Sequence, residues 1–144
     1  MNKKKVLSSV LSLGLAFGVG VATLTLPVTS ASAAIGNHDG PLYITDKDIR
    51  GYGEYKFNVP AGYGHLKCVF LNEGKDKVRI VVKHIDSGKI YIDKRDVEKG
   101  KSVEWKSNDE YKQGVRGGGY VVEVYSGEQS AKVKFSFKAS DTIW

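Results

Sequence analysis

Cysteine is nearly absent from this chain: its 144 residues hold one, Cys68. A lone cysteine closes no intrachain disulfide, so the fold must be held by its core alone. Cys68 sits beside Val69 and Phe70, the setting of a small buried side chain rather than a nucleophile. Helical periodicity is also missing beyond the first 33 residues, which argues against a bundle. The histidines, His38, His65 and His84, fall in neither H-x-x-x-H nor H-E-x-x-H spacing, so no zinc-hydrolase signature is present. There is no G-x-S-x-G for a serine hydrolase. There is no G-K-[ST] or G-x-G-x-x-G for a nucleotide. Beyond the N-terminal segment, no apolar run is long enough to cross a bilayer.

The N-terminal segment has a distinct pattern. Lys3, Lys4 and Lys5 precede an apolar run from Val6 through Leu26, and "TSASA" follows at 29–33. Positive start, apolar centre and small-residue cleavage site make up a secretory signal peptide over 1–33. Gly14, Gly18, Gly20 and Pro27 argue against a membrane anchor. The leader resembles those of Gram-positive, Bacillus-type secreted proteins. Cleavage after Ala33 leaves 111 of the 144 residues. Three lysines leave with it and no acid does, so 19 basic residues face 16 acidic ones, an excess of +3. That mild surplus does not imply a nucleic acid as partner.

The remaining chain fits one domain, with a loose end at 34–40 and a β-sandwich over 41–144. Its recurring signal is alternation, the period of half-buried strands. "EYKFNVP" sets Tyr55, Phe57 and Val59 against Glu54, Lys56 and Asn58. "KVKFSFK" sets Val133, Phe135 and Phe137 against Lys132, Lys134, Ser136 and Lys138. "LKCVFL" and "YVVEVY" are apolar on both faces for part of their length and read as central strands. Turn residues recur about every ten positions. About eight strands are predicted, near 42–46, 54–59, 65–71, 77–85, 89–93, 102–106, 119–125 and 131–138. Short connections make them antiparallel, in an all-β sandwich of jelly-roll or immunoglobulin-like type. The polar stretch 106–118 is long enough to be a functional loop, with room for a short helical turn.

"YKFNVPAG" and "GGYVVEVYSGEQSAKVKFSF" resemble the bacterial pre-peptidase C-terminal type of secreted β-sandwich. The resemblance spans most of 54–138 and implies an extracellular accessory module. The aspartate-rich strand that often binds calcium in that family is missing; "DKVRIVVKHID" stands in its place.

Candidate chemistry is sparse. Asp46 and Asp48, with Asp39 nearby, are the calcium candidates, but they lack the EF-hand spacing and Lys47 opposes them. No cofactor is expected. The triple glycine 117–119 runs into a β-rich segment rather than a helix, so it reads as a bend and not a phosphate cradle. Tyr52, Tyr63 and Tyr111 fall in expected loops, where rings can stack on a sugar or protein. Lys112 and Arg116 share a loop with Tyr111. Lys132, Lys134 and Lys138 form an outward basic row, suited to an anionic polymer or to edge protection.

The sequence therefore predicts a small secreted protein without catalytic machinery. Its expected partner is an extracellular polymer or protein, in the medium or on the cell wall. The alternative is an exported effector such as an antimicrobial, toxin or enzyme inhibitor. N-terminal sequencing of the exported protein is expected to begin at Ala34; a chain that retains residues 1–33 contradicts the leader.

Overall fold

The computed structural model describes residues 35–144, with the side chains of residues 37 and 38 left out; the leader expected over 1–33 lies outside the described residues. Eight strands follow in order: β1 (Ile35–Thr45), β2 (Tyr52–Val59), β3 (His65–Asn72), β4 (Val78–His84), β5 (Ile90–Val97), β6 (Ser102–Lys106), β7 (Gly118–Ser126) and β8 (Lys132–Ser140). One helical turn, α1 (Ser107–Glu110), separates β6 from β7. The first sheet has the order β1-β8-β3-β6 and the second β2-β7-β4-β5. Every pairing is antiparallel. All connections except β4–β5 carry the chain from one sheet to the other. This is jelly-roll order, so of the two sandwich types expected the jelly roll is found. As expected, β3 and β7 each lie between two neighbours.

Alternation gives each strand an inward face. Val59, Leu66, Cys68, Ile80, Val82, Tyr120, Val122, Val124, Val133 and Phe135 are fully shielded from solvent. The two layers meet through aromatic rings. Phe135 of β8 stacks on Phe70 of β3 with centroids 5.0 Å apart, and reaches Phe57 of the opposite sheet at 5.6 Å. Phe57 also meets Phe137 at 4.5 Å and Tyr120 at 5.4 Å. Offset and tilted pairs of this kind add to the gain from buried area. Burial pushes the Cys68 thiol up, away from the reactive thiolate.

Three polar side chains close the ends of the sandwich. Asp46 accepts backbone N–H bonds from Gly51 at 2.9 Å and Ala131 at 2.7 Å, tying the β1–β2 and β7–β8 loops together. Asn72 is buried and satisfied: its amide donates to the carbonyls of Asp76 and Val97, and its oxygen accepts from Gly74 N–H. Ser107, at the start of α1, accepts from Leu66 N–H at 2.9 Å.

The segment 34–40 is not a loose end over the residues described. β1 begins at Ile35, pairing Ile35 with Ser140, His38 with Lys138 and Asp39 with Phe137. Gly40 and Pro41 look like a break in sequence. The ladder absorbs them as an irregularity between Asp39 and Leu42, with Gly40 at φ 121°.

Replacing Phe135 with alanine empties the centre of this aromatic layer, and is expected to cost ~3–5 kcal/mol. Urea unfolding checks it; a loss below ~1 kcal/mol would show that the layer does not hold the sheets together.

Candidate functional site

The registers of the second sheet arrange its outer face in rows. One row runs Tyr52, Tyr125, Arg79, Asp96 across β2, β7, β4 and β5. The next runs Glu54, Glu123, Val81. The third runs Lys56, Val121, Lys83, Ile90. The second row stops at Val81 because β5 breaks register there, with Lys94 in the left-handed region at φ 49°. A bulge of this kind bends the strand and redirects side chains. The result is a groove of about 640 Å³ whose lining includes Arg79, Val81, Ile90, Asp93, Asp96 and Tyr125.

The groove offers an apolar surface within a charged rim. Tyr125 and Ile90 are 42% and 44% exposed. Asp76, Asp93, Asp96 and Glu123 line it together with Lys77, Arg79 and Lys94, so its charges nearly cancel. Asp96 takes Arg79 Nε at 3.0 Å and Lys77 Nζ at 3.3 Å. Glu123 takes Lys83 Nζ at 3.5 Å and the Tyr125 hydroxyl at 3.2 Å. Glu54 and Glu123 face each other directly, an unfavourable placement for like charges. It is relieved because Glu54 pairs with Lys47 and accepts from the Tyr52 hydroxyl at 2.8 Å.

These contacts shift ionisation in one direction. The Arg79 hydrogen bond, followed by that of Lys77, holds the Asp96 carboxyl below the usual range. Lys47 and then Tyr52 do the same to Glu54. Burial, followed by the Glu54 carboxylate, pushes the Tyr52 hydroxyl above the ordinary phenol range. Tyr52 therefore stays a donor, while both carboxylates stay charged.

Of the residues singled out in sequence, Tyr52 adjoins this groove. Its ring lies 5.2 Å from that of Tyr125. Tyr63, Tyr111, Lys112 and Arg116 occupy loops at the opposite end of the sandwich. Tyr63 lies against the backbone of Gly36, where an added Cβ would come within 2.5 Å of its ring. Tyr111 packs on Tyr91 at 5.0 Å, with Lys89 over both rings at 5.0 and 4.8 Å. Lys112 is exposed, and Arg116 has its backbone N–H on the Tyr91 hydroxyl. Lys132, Lys134 and Lys138 lie on the outer face of the first sheet, Lys132 and Lys134 over the Tyr43 ring at 5.4 and 5.9 Å. The groove itself was not singled out in sequence, although "YVVEVY" places Val121, Glu123 and Tyr125 on one face.

The two described histidine side chains, His65 and His84, do not meet at a metal site. His65 and His84 belong to different sheets. His84 is buried, with Nε2 3.0 Å from the Gly117 carbonyl. A carbonyl only accepts, so Nε2 carries the proton and Nδ1 accepts from the Ser87 hydroxyl at 2.8 Å. That bond holds the β4–β5 turn. Gly118, at φ 125°, passes so close that a Cβ would sit 2.8 Å from Nε2, so the glycine bend lets β7 start beside the imidazole. The calcium candidates do not converge. Asp46 caps two loops, and Asp39, which accepts from Tyr55 at 3.1 Å, lies roughly 20 Å away along β1. Among the described residues no group of three or more His, Cys, Asp or Glu is placed to hold a metal ion.

No protein-family model and no curated protein sequence matches the chain. Among solved structures it is similar to the Bacillus licheniformis lipase BlEst2 in its propeptide form, at 17% identity and a TM-score of 0.45 over 90% of this chain. The chain spans 27% of that protein's length. It is also similar to a family 35 carbohydrate binding module from Clostridium thermocellum, at 13% identity and a TM-score of 0.38, over 75% of this chain and 98% of that one.

Glu54 and Asp96 both have folded pKa values below their unfolded ones. Their stabilisation is present above the unfolded carboxylate range, near pH ~4, and is lost as pH falls through the folded values. The melting temperature is expected to fall with acid below that range, less steeply in the Glu54→Gln/Asp96→Asn double variant. Identical acid slopes for the two proteins would contradict this assignment.

Proposed function

We propose that the chain is an exported, non-catalytic module that binds an extracellular glycan in the groove of the second sheet. The observation that supports it is the exposed Tyr125 and Ile90 surface set inside a nearly neutral ring of fixed charges. A sugar ring has apolar C–H faces and hydroxyls that both donate and accept. Tyr125 and Ile90 match the faces. Arg79 supplies donors, and Asp93, Asp96 and Glu123 supply acceptors. Ion pairs hold Arg79, Asp96 and Glu123 in place before a ligand arrives, which lowers the cost of ordering them. A charge-balanced lining favours a neutral ligand over a polyanion.

Asp96 and Glu54 are unsuited to act as the acid of a glycoside hydrolase. Glycoside cleavage needs a carboxylic acid whose pKa is raised, so that it can donate a proton. Asp96 in the groove and Glu54 beside it are shifted the other way. Export rests on the leader at 1–33, and attachment to the cell wall follows if the glycan belongs there. The motif resemblance to pre-peptidase C-terminal modules agrees with an accessory role.

Retention on purified, insoluble cell-wall glycan and on neutral polysaccharides tests the proposal. Retention is expected to survive ~0.5 M salt, since a neutral ligand owes little to screened charge. Tyr125→Ala is expected to weaken it about tenfold, equivalent to about 1.4 kcal/mol. No retention on any glycan, or retention equal in Tyr125→Ala, rules the groove out. Growth inhibition of neighbouring bacteria without glycan retention would favour the effector reading.

A further inference from the structure

The geometry points to a second binding surface, on the other sheet, for a phosphate-bearing linear polymer. It consists of a cationic cavity at one end of the sandwich and a lysine row that leads away from it. The cavity, of about 340 Å³, is formed by the β1–β2, β3–β4 and β7–β8 loops. Arg50, Lys75 and Lys132 line it with one acid, Glu73, and with Gln129 and Ser130 as polar partners; the Asp46 carboxylate behind it bonds Ser130 and offsets part of the Arg50 charge. The loops that carry these groups are pinned: Asp46 holds Gly51 and Ala131, and Asn72 holds Gly74. The cations therefore converge on a preformed space.

Lys132 belongs to both parts. It lines the cavity and also begins the outward row of β8, Lys132, Lys134 and Lys138. Alternate residues on a strand stand about 7 Å apart, so the row extends the positive charge by roughly 20 Å. None of the three has a carboxylate partner among the described residues. The neighbouring lysines of the same sheet differ. Lys67 and Lys106 share Glu104, at 3.2 and 3.6 Å. That pair keeps a net +1 on one shared acid, whereas the three lysines of the row have none between them.

Tyr43 lies beside that line, 52% exposed, under Lys132 and Lys134. An exposed ring flanked by two cations provides a surface for the apolar part of a polymer repeat, while the cations take its phosphates. Edge protection does not account for the row, because β8 lies between β1 and β3 and is not an edge strand. A linear polyanion fits the shape better than a membrane: a cavity that continues as a single-file row follows a chain, whereas a bilayer calls for a flat positive face.

Binding of long-chain inorganic polyphosphate and of poly(glycerol phosphate) to the mature protein, followed by fluorescence anisotropy over a salt series, tests this. Micromolar binding is expected at low salt. Neutralising about four phosphates gives a slope of log K against log salt near −3. Arg50→Gln/Lys132→Gln/Lys134→Gln is expected to lose most of the binding and to lower the slope by about two. Its retention on neutral glycan should be unchanged, so failure here is distinct from failure of the groove. Lys56→Gln/Lys83→Gln/Lys99→Gln makes the same charge change elsewhere, and should keep at least half of the slope. Three outcomes overturn the proposal: no binding of either polymer, equal losses in the two triple variants, or binding only to vesicles of anionic phospholipid.

Discussion

The packing of Phe135 against rings of both sheets is the contact on which the other features of this protein depend. The chain has no disulfide, and its layers are joined by side-chain burial and a few loop hydrogen bonds. Phe135 touches Phe70 within its own sheet and Phe57 across the interface. Those contacts set the distance and angle between the layers. The outer faces inherit their shape from them, because each strand commits alternate residues to the core and leaves the rest outside.

The two outer faces have opposite electrostatic design. On the outer face of the second sheet, acids and bases pair off and neutralise one another: Arg79 with Asp96, Lys83 with Glu123, and Glu54 with Lys47 of the β1–β2 loop. The groove that results has an apolar surface inside a charged rim that is nearly neutral in sum. On the first sheet, Glu104 offsets one of the two charges of Lys67 and Lys106, and among the described residues Lys132, Lys134 and Lys138 pair with no acid. On the reading proposed above, one body presents a surface suited to neutral hydroxyl-rich ligands and a separate one suited to polyanions. An extracellular envelope presents both chemistries side by side. Such a protein would have two weak holds on one composite surface, and joined holds exceed either alone.

Much of the fold was legible in the sequence, because alternation survives in strands with one wet face. "KVKFSFK" and "EYKFNVP" gave their inward residues correctly, and turn residues marked most strand ends to within a residue or two. The start of β1 was not legible. Gly36, Gly40 and Pro41 read as breakers until β8 supplies the partner ladder. The groove was hidden for a related reason. Tyr125, Arg79 and Asp96 are far apart in sequence and become neighbours through strand register alone, and the bulge near Lys94 that opens the space has no sequence mark. Asp46 shows the same limit: it looked like a calcium ligand, and its partner is the backbone of Ala131, 85 residues away. Tyr63 and Tyr111 looked like free loop rings, yet each packs against the body of the sandwich. The lysine row of β8 was visible throughout, since it depends on one strand only.

Amide chemical-shift mapping of the mature protein, with a neutral cell-wall oligosaccharide and then with polyphosphate, tests the separation of the two faces most directly. The oligosaccharide is predicted to shift resonances around Arg79, Ile90, Asp96 and Tyr125, and the polyphosphate those around Arg50, Lys75, Lys132 and Lys134, with little overlap. Overlapping sets, or shifts confined to the loops that carry Tyr63 and Tyr111, would contradict the account.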